Sequence, residues 1–305
     1  MQLTDFVHTI GSYFRSRYAT RVRKLTIDAQ FTCPNRDGTI GRGGCTFCNV
    51  DSFTAAVPSD LSIAEQLSQR KAEMKHQDIL YLAYFQAYTS TYGEYQKLYQ
   101  LYQQALNVPQ VIGICVGTRP DCVSDEVLQL LSDYQRQGKE VWLELGLQSA
   151  NARTLKRINR GHDYSAYQRV VEKAHRYQIK VCTHLILGLP GEGPDDYANT
   201  LQQVLSDGVS GLKLHPLMVV QGSVMAKAWQ AGRLSTLSLD EYVKNAAMLI
   251  EQTPWDVVFH RVCATARPPM LLSPNWCAQQ WPPLTAIGNY LSKYGKQGSG
   301  LSSKV

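Results

Sequence analysis

Three cysteines constrain this 305-residue chain more than any other feature: Cys33, Cys45 and Cys48. They lie on one glycine-rich stretch that follows Leu25-Thr26-Ile27, a short apolar run that reads as a strand. Three thiolates on one loop suit three irons of a [4Fe–4S] cube and leave the fourth iron open to a substrate or cofactor. Phe47, just before the last cysteine, would shield such a cluster from water. Spacing alone leaves two other readings open. A structural zinc site wants a fourth Cys or His, and none follows before His76. A redox Cys-x-x-Cys leaves the link back to Cys33 unexplained.

The rest of the chain narrows the class. No apolar run approaches the length of a membrane-spanning helix, and residues 1–8 lack a signal-peptide pattern. The expectation is a cytoplasmic protein with no membrane partner, in which eight cysteines serve metal or catalysis rather than disulfides. The formal charge of +6 is mild, but Arg15, Arg17, Arg21, Arg23 and Lys24 crowd together among Tyr13, Phe14 and Tyr18. That mixture suits RNA phosphates and bases; it equally describes a solvated amphipathic helix ahead of the first strand.

Apolar runs and helical patterns then alternate. Strands are expected at 78–85, 111–116, 140–145, 180–187 and 211–216, with helices at 61–75, 94–106, 125–137, 164–177 and 195–205. The runs are apolar throughout, as in a parallel sheet covered on both faces. Right-handed crossovers wind such units into a barrel or an open, barrel-like sheet, with chemistry at the carboxyl ends of the strands. Cys33, Gln86, Thr118–Asp121, Gln148, Gly188–Glu192 and His215 all fall at or just past those ends. Beyond Pro216 the pattern changes to helices at 223–231 and 239–252, a last strand at 256–260, a proline-rich stretch and a helix near 284–293. The expected organisation is a basic segment (1–24), a barrel (25–220) and an extension packed on it (221–305).

These residues carry a resemblance. The cysteine loop after the first strand, Glu144-Leu145-Gly146-Leu147-Gln148-Ser149 on the fourth and Ile186-Leu187-Gly188-Leu189-Pro190-Gly191 on the fifth resemble motifs of radical SAM enzymes. Thr118-Arg119-Pro120-Asp121 and Asn159-Arg160-Gly161-His162 resemble segments of the Elongator catalytic subunit. Taken nearly end to end, the chain is similar to the small YhcC-type radical SAM proteins. The link from Cys33 to Cys45 is longer than is usual in the superfamily, and Gln86-Ala87-Tyr88 stands where two glycines and an acid are common. Gly117 replaces an acid of the Elongator-like pattern.

The resemblance implies an α/β fold: a partial (β/α)6 TIM-like barrel of the radical SAM type with a C-terminal α/irregular extension. It implies a [4Fe–4S] cluster on Cys33, Cys45 and Cys48, and S-adenosylmethionine cleaved reductively to a 5′-deoxyadenosyl radical. For S-adenosylmethionine it suggests Gln86, Glu144, Gln148, Arg160, His184 and Gly188: Arg160 for the methionine carboxylate, Gln148 and Glu144 for the ribose, His184 beside it and Gly188 for adenine. Core satisfaction is the competing reading for Glu144 and His184. Lys213 and His215 are placed to meet substrate. The implied substrate is a tRNA base, with a reductant such as flavodoxin or ferredoxin. The same chemistry on a small molecule or protein is the alternative, and a non-catalytic, zinc-stabilised RNA-binding module is a second.

Overall fold

The computed structural model describes residues 2–49, 61–74 and 79–301. The expected helix end at Lys75, the strand start at Asp78 and the tail 302–305 lie outside the described residues.

The strands are β1 (Arg21–Ile27), β2 (Ile79–Phe85), β3 (Val111–Thr118), β4 (Glu140–Gln148), β5 (Lys180–Leu187), β6 (Gly211–Pro216), β7 (Val219–Val220), β8 (Val258–Arg261) and β9 (Leu271–Ser273). The helices are α1 (Ile10–Tyr18), α2 (Pro34–Asp37), α3 (Ile63–Ala72), α4 (Tyr95–Leu106), α5 (Asp125–Arg136), α6 (Ala152–Arg157), α7 (Tyr164–Arg176), α8 (Pro194–Ser206), α9 (Val224–Gln230), α10 (Leu239–Glu251) and α11 (Trp281–Tyr294). One seven-stranded parallel sheet runs β1-β2-β3-β4-β5-β6-β8 and curls into a half-barrel; β7 and β9 form a separate antiparallel pair. Each helix of the repeat lays an apolar stripe on the sheet, as Leu128, Leu131 and Tyr134 of α5 do. Serine hydroxyls start α3, α5 and α10 by accepting a free backbone N–H of the first turn.

The extension is more closely woven into the sheet than a separate cap would be. β8 supplies its seventh strand, and Gln297, buried, donates to the carbonyls of Pro254 and Val257. The stretch 295–301 is therefore tied down through that residue. α11 begins three residues ahead of the expected start, because Pro282 and Pro283 sit in its first turn, where no N–H is needed.

The basic segment divides differently from expectation. β1 starts at Arg21, so Arg21, Arg23 and Lys24 belong to a strand. α1 is a short helix whose aromatics turn inward. Phe14 is buried against Leu82, Tyr84, Trp142 and Val258, at the amino-terminal end of the barrel. Tyr13 and Tyr18 both donate to the Glu140 carboxylate at the start of β4. Thr9 bridges to Phe259 on β8, and α1 then crosses to β1. α1 therefore spans the gap between the first and last strands and plugs the barrel floor. Its rings are engaged in that packing and are not free to stack on bases.

Candidate active site

The opposite end is open. A cavity of about 240 Å³ lies at the carboxyl ends of the strands and is lined by Cys33, Cys45 and Cys48 together with Gln86, Glu144, Gln148, Arg160 and His184. Gly188 stands outside this lining. Its φ of +91° turns the chain at the end of β5, its N–H donates to Tyr197 Oη, and its Cα faces Leu237 and Leu217.

Local chain chemistry builds the cysteine loop. Cys33 precedes α2, and its carbonyl accepts from Arg36 and Asp37. The chain returns so that Gly44 N–H donates to Asn35 O, and Cys48 N–H donates to Cys45 O at 3.0 Å, a tight turn that presents both thiols together. Gly44 has φ +77°, and a Cβ there would lie 2.9 Å from Arg36 Nε. Arg36 in turn donates to Cys48 O.

Long-range bonds then lock the loop to the barrel. Asn35, buried, donates from Nδ2 to Asn159 O at 2.6 Å; Asn159 Nδ2 donates back to Gly44 O at 2.9 Å. Arg160 donates from Nη1 to Cys45 Sγ at 3.4 Å and from Nε and Nη2 to Gly146 O. Arg119 grips Asp121 with two bonds and donates to Arg160 O at 2.8 Å. The two Elongator-like segments therefore meet in space and brace the cysteines. Arg119 and Asn159 carry no role of their own in the sequence, although both segments stand out there, and Asn35 reads only as turn chemistry.

The donor set fits an iron–sulfur cluster. All three thiols are free. Burial pushes the Cys48 thiol above its ordinary value; Arg36 opposes this, and Cys45 and Cys33 nearby add to it. Three crowded sulfurs are costly to ionise together unless a metal supplies positive charge. Arg119 Nη1 is also buried here without a hydrogen-bond partner among the described residues. Phe47 packs on Leu155, Ile158, Ile186, Leu189, Leu217 and Met225, giving this end an apolar wall.

Deeper in the barrel, Glu144 is a hub. Lys24 Nζ donates to its Oε1 at 2.5 Å, Lys213 Nζ to Oε2, and His184 Nε2 to Oε2 at 3.1 Å; His260 Nδ1 lies 3.1 Å from Oε1. Burial works to raise the Glu144 pKa, but Lys213 and Lys24 outweigh it and hold the group well below the usual carboxylate range. Burial and the nearby Lys213 push His184 down to about 4, so its imidazole is neutral at pH 7. Glu144, Cys182 and His184 place ligand atoms within 4.8 Å of one another, but two ammonium groups already occupy the carboxylate, which disfavours a cation there.

The comparisons with known proteins give the family. The sequence pattern of the radical SAM superfamily matches residues 35–204, and that of the Radical_SAM C-terminal domain matches 209–293. The chain belongs to the radical SAM superfamily, whose enzymes use a [4Fe–4S] cluster and S-adenosylmethionine and need a reductant. It is 53% identical to Protein YhcC of Escherichia coli (strain K12) over 301 residues, 99% of this chain and 97% of that one. It is 32% identical to a tRNA uridine(34) acetyltransferase of Dehalococcoides mccartyi over 125 residues, 40% of this chain and 26% of that protein. Among solved structures, an archaeal Elp3 from Methanocaldococcus infernus superposes with a TM-score of 0.65 at 15% identity, covering 90% of this chain and 63% of that one; the likeness is one of fold. No helix among the described residues is long and apolar enough to cross a membrane.

Proposed function

We infer that this radical SAM enzyme modifies a base of tRNA, and that Cys33, Cys45 and Cys48 hold its cluster. The convergence of the three free thiols at one end of a single barrel cavity carries the cluster assignment. When bound, the cluster and S-adenosylmethionine supply a one-electron reductive cleavage that yields a 5′-deoxyadenosyl radical. The chain's own residues hold and shield. Arg160 keeps a cation beside Cys45, Asn35 and Asn159 fix the loop, and Phe47 with Ile186 and Leu217 excludes water from that end. Gln86 and Gln148 line the same cavity and are assigned to the amino-acid and ribose parts of S-adenosylmethionine. Gln148 keeps φ +80°, a strained backbone that suits a positioning role. Glu144 is saturated by its two lysines and the neutral His184, so its part is to keep the two ammonium groups in place.

The tRNA assignment is supported by the similarity to the tRNA uridine(34) acetyltransferase. The test compares digested tRNA nucleosides from a deletion strain complemented with the wild-type gene or with Cys45→Ala. A nucleoside restored only by the wild-type gene supports the reading. Identical nucleosides with an altered metabolite would move the substrate to a small molecule.

A further inference from the structure

The cavity wall away from the cysteines carries more positive charge than its partners neutralise. Lys24 and Lys213 share one carboxylate, Glu144, and Arg261 stands beside Lys213 on the neighbouring strand. Both oxygens of Glu144 are taken by the two lysines and His184. Lys213 is buried and also donates to Tyr84 Oη at 2.8 Å. Arg261 pairs with Lys213 in the β6–β8 register and lines the cavity, yet it makes no hydrogen bond or ion pair with any described residue. His215, on the same wall, keeps Nε2 buried without a hydrogen-bond partner among the described residues. The site is thus a buried ammonium, an exposed guanidinium fork and an imidazole stacked on His184, facing one space. Lys24 and Lys213 carry one positive charge more than Glu144 neutralises, and Arg261, an exposed residue, adds a second at the edge of the same cavity, so an anion entering it meets both.

We propose that this wall binds an anionic group of the substrate, with the Arg261 guanidinium and His215 Nε2 as its donors and Lys213 behind them. A guanidinium matches an oxyanion through two parallel bonds. The proposal rests on reading the cavity as the radical SAM active site. The same chemistry is present in the carboxylate of S-adenosylmethionine, so the test separates the two sources.

The full chain, reconstituted with iron and sulfide and loaded with S-adenosylmethionine, is unfolded thermally in sodium acetate and in acetamide, its neutral isostere, with ionic strength balanced by sodium chloride. The expected result is a Tm several degrees higher in acetate than in acetamide for the wild type, and no difference for Arg261→Gln. Affinity for S-adenosylmethionine, read by equilibrium dialysis, is expected to change by less than about twofold in Arg261→Gln. Arg261→Lys, which keeps the charge, is expected to retain part of the acetate shift. Equal Tm values in acetate and acetamide for the wild type overturn the proposal. So does an undiminished acetate shift in Arg261→Gln, as does a loss of S-adenosylmethionine affinity of about tenfold in that variant, which would assign the wall to the cofactor's own carboxylate. If the chain takes up no iron, the cluster reading fails, and the acetate shift is still read on the apo chain. Failure of the tRNA reading appears separately, in the nucleoside comparison.

Discussion

Arg160 Nη1 lies 3.4 Å from Cys45 Sγ, while Nε and Nη2 of the same guanidinium both donate to Gly146 O. The fork is held by a strand carbonyl, so its remaining arm stays fixed against one thiol. Lysine at this position keeps the charge but cannot make both contacts. Arg160→Lys is expected to weaken cluster retention about tenfold, the usual cost of losing a group that orients a metal ligand. Iron release to a chelator under anaerobic conditions measures this, and a wild-type release rate would refute it.

Gly44 and Gly43 offer a matched pair. Both have positive φ, but a Cβ on Gly44 would meet Arg36 at 2.9 Å, whereas one on Gly43 meets nothing within 4 Å. Alanine at either position costs about 1–2 kcal/mol of backbone strain. Only Gly44→Ala also displaces Arg36 from Cys48 O. Urea unfolding of the apo chain is expected to show similar or slightly larger destabilisation for Gly44→Ala, with a fall in bound iron confined to that variant. Equal iron content in the two variants contradicts the role given to Arg36.

Two lysines sharing one carboxylate cannot both be fully neutralised. Burial pushes the Lys213 ammonium down to about 8 from an ordinary 10.5, although Glu144 pulls upward. Between those values the unfolded chain binds more protons than the folded one, so stability rises with pH. Lys213 by itself adds stability from about pH 8 to about pH 10. The thiols of Cys115, Cys122 and Cys263, pushed up to about 12 by burial, stay protonated in the folded chain and lower stability as pH rises. The expected outcome is that Lys213→Met loses more stability than the wild type over that range. Glu144 behaves in the opposite sense at the acid end. Its folded pKa is depressed, so its contribution is present above the usual carboxylate range and is lost as pH falls through the folded value. Unfolding free energies at several pH values test both arms.

Glu140 anchors the floor. It accepts from Tyr13 Oη, Tyr18 Oη, Trp142 Nε1 and Lys180 Nζ, with Arg17 Nε 3.2 Å away. Glu140→Gln keeps the shape and removes the charge. With Lys180 partly exposed, the expected loss is about 1–3 kcal/mol. Loosening is expected first in α1, read as faster trypsin cleavage at Arg15 and Arg17 well below the global melting temperature. Cleavage at the wild-type rate would show that α1 is held by Phe14 alone.

The repeat of strand and helix was legible because buried parallel strands write themselves as unbroken apolar runs, as Ile79–Phe85 does. The cysteine loop was legible because thiols at short spacing are rare in a chain of this kind. What stayed hidden depends on register. Lys24, Glu144, His184, Lys213 and His260 sit on five different strands, and only the pairing of those strands shows that their side chains converge. The brace of Asn35 on Asn159 is likewise a contact between a loop and a turn 124 residues apart, with no periodicity to announce it. The inward turn of Tyr13, Phe14 and Tyr18 was obscured because Arg15 and Arg17 make the last turn of that helix basic and exposed, which reads the same whether its rings face RNA or a barrel floor.

The plug made by α1 has a geometric consequence. With Phe14 seated among the strand beginnings, the barrel is a well rather than a tunnel. A polymer cannot be threaded through it, and whatever enters must leave by the same mouth. A nucleotide within a longer chain can therefore be presented only by its tip, swung out of its stack and lowered past the cysteines. Entry, reaction and exit then share one doorway, and the order in which the spent pieces of cofactor and product depart becomes part of the catalytic cycle.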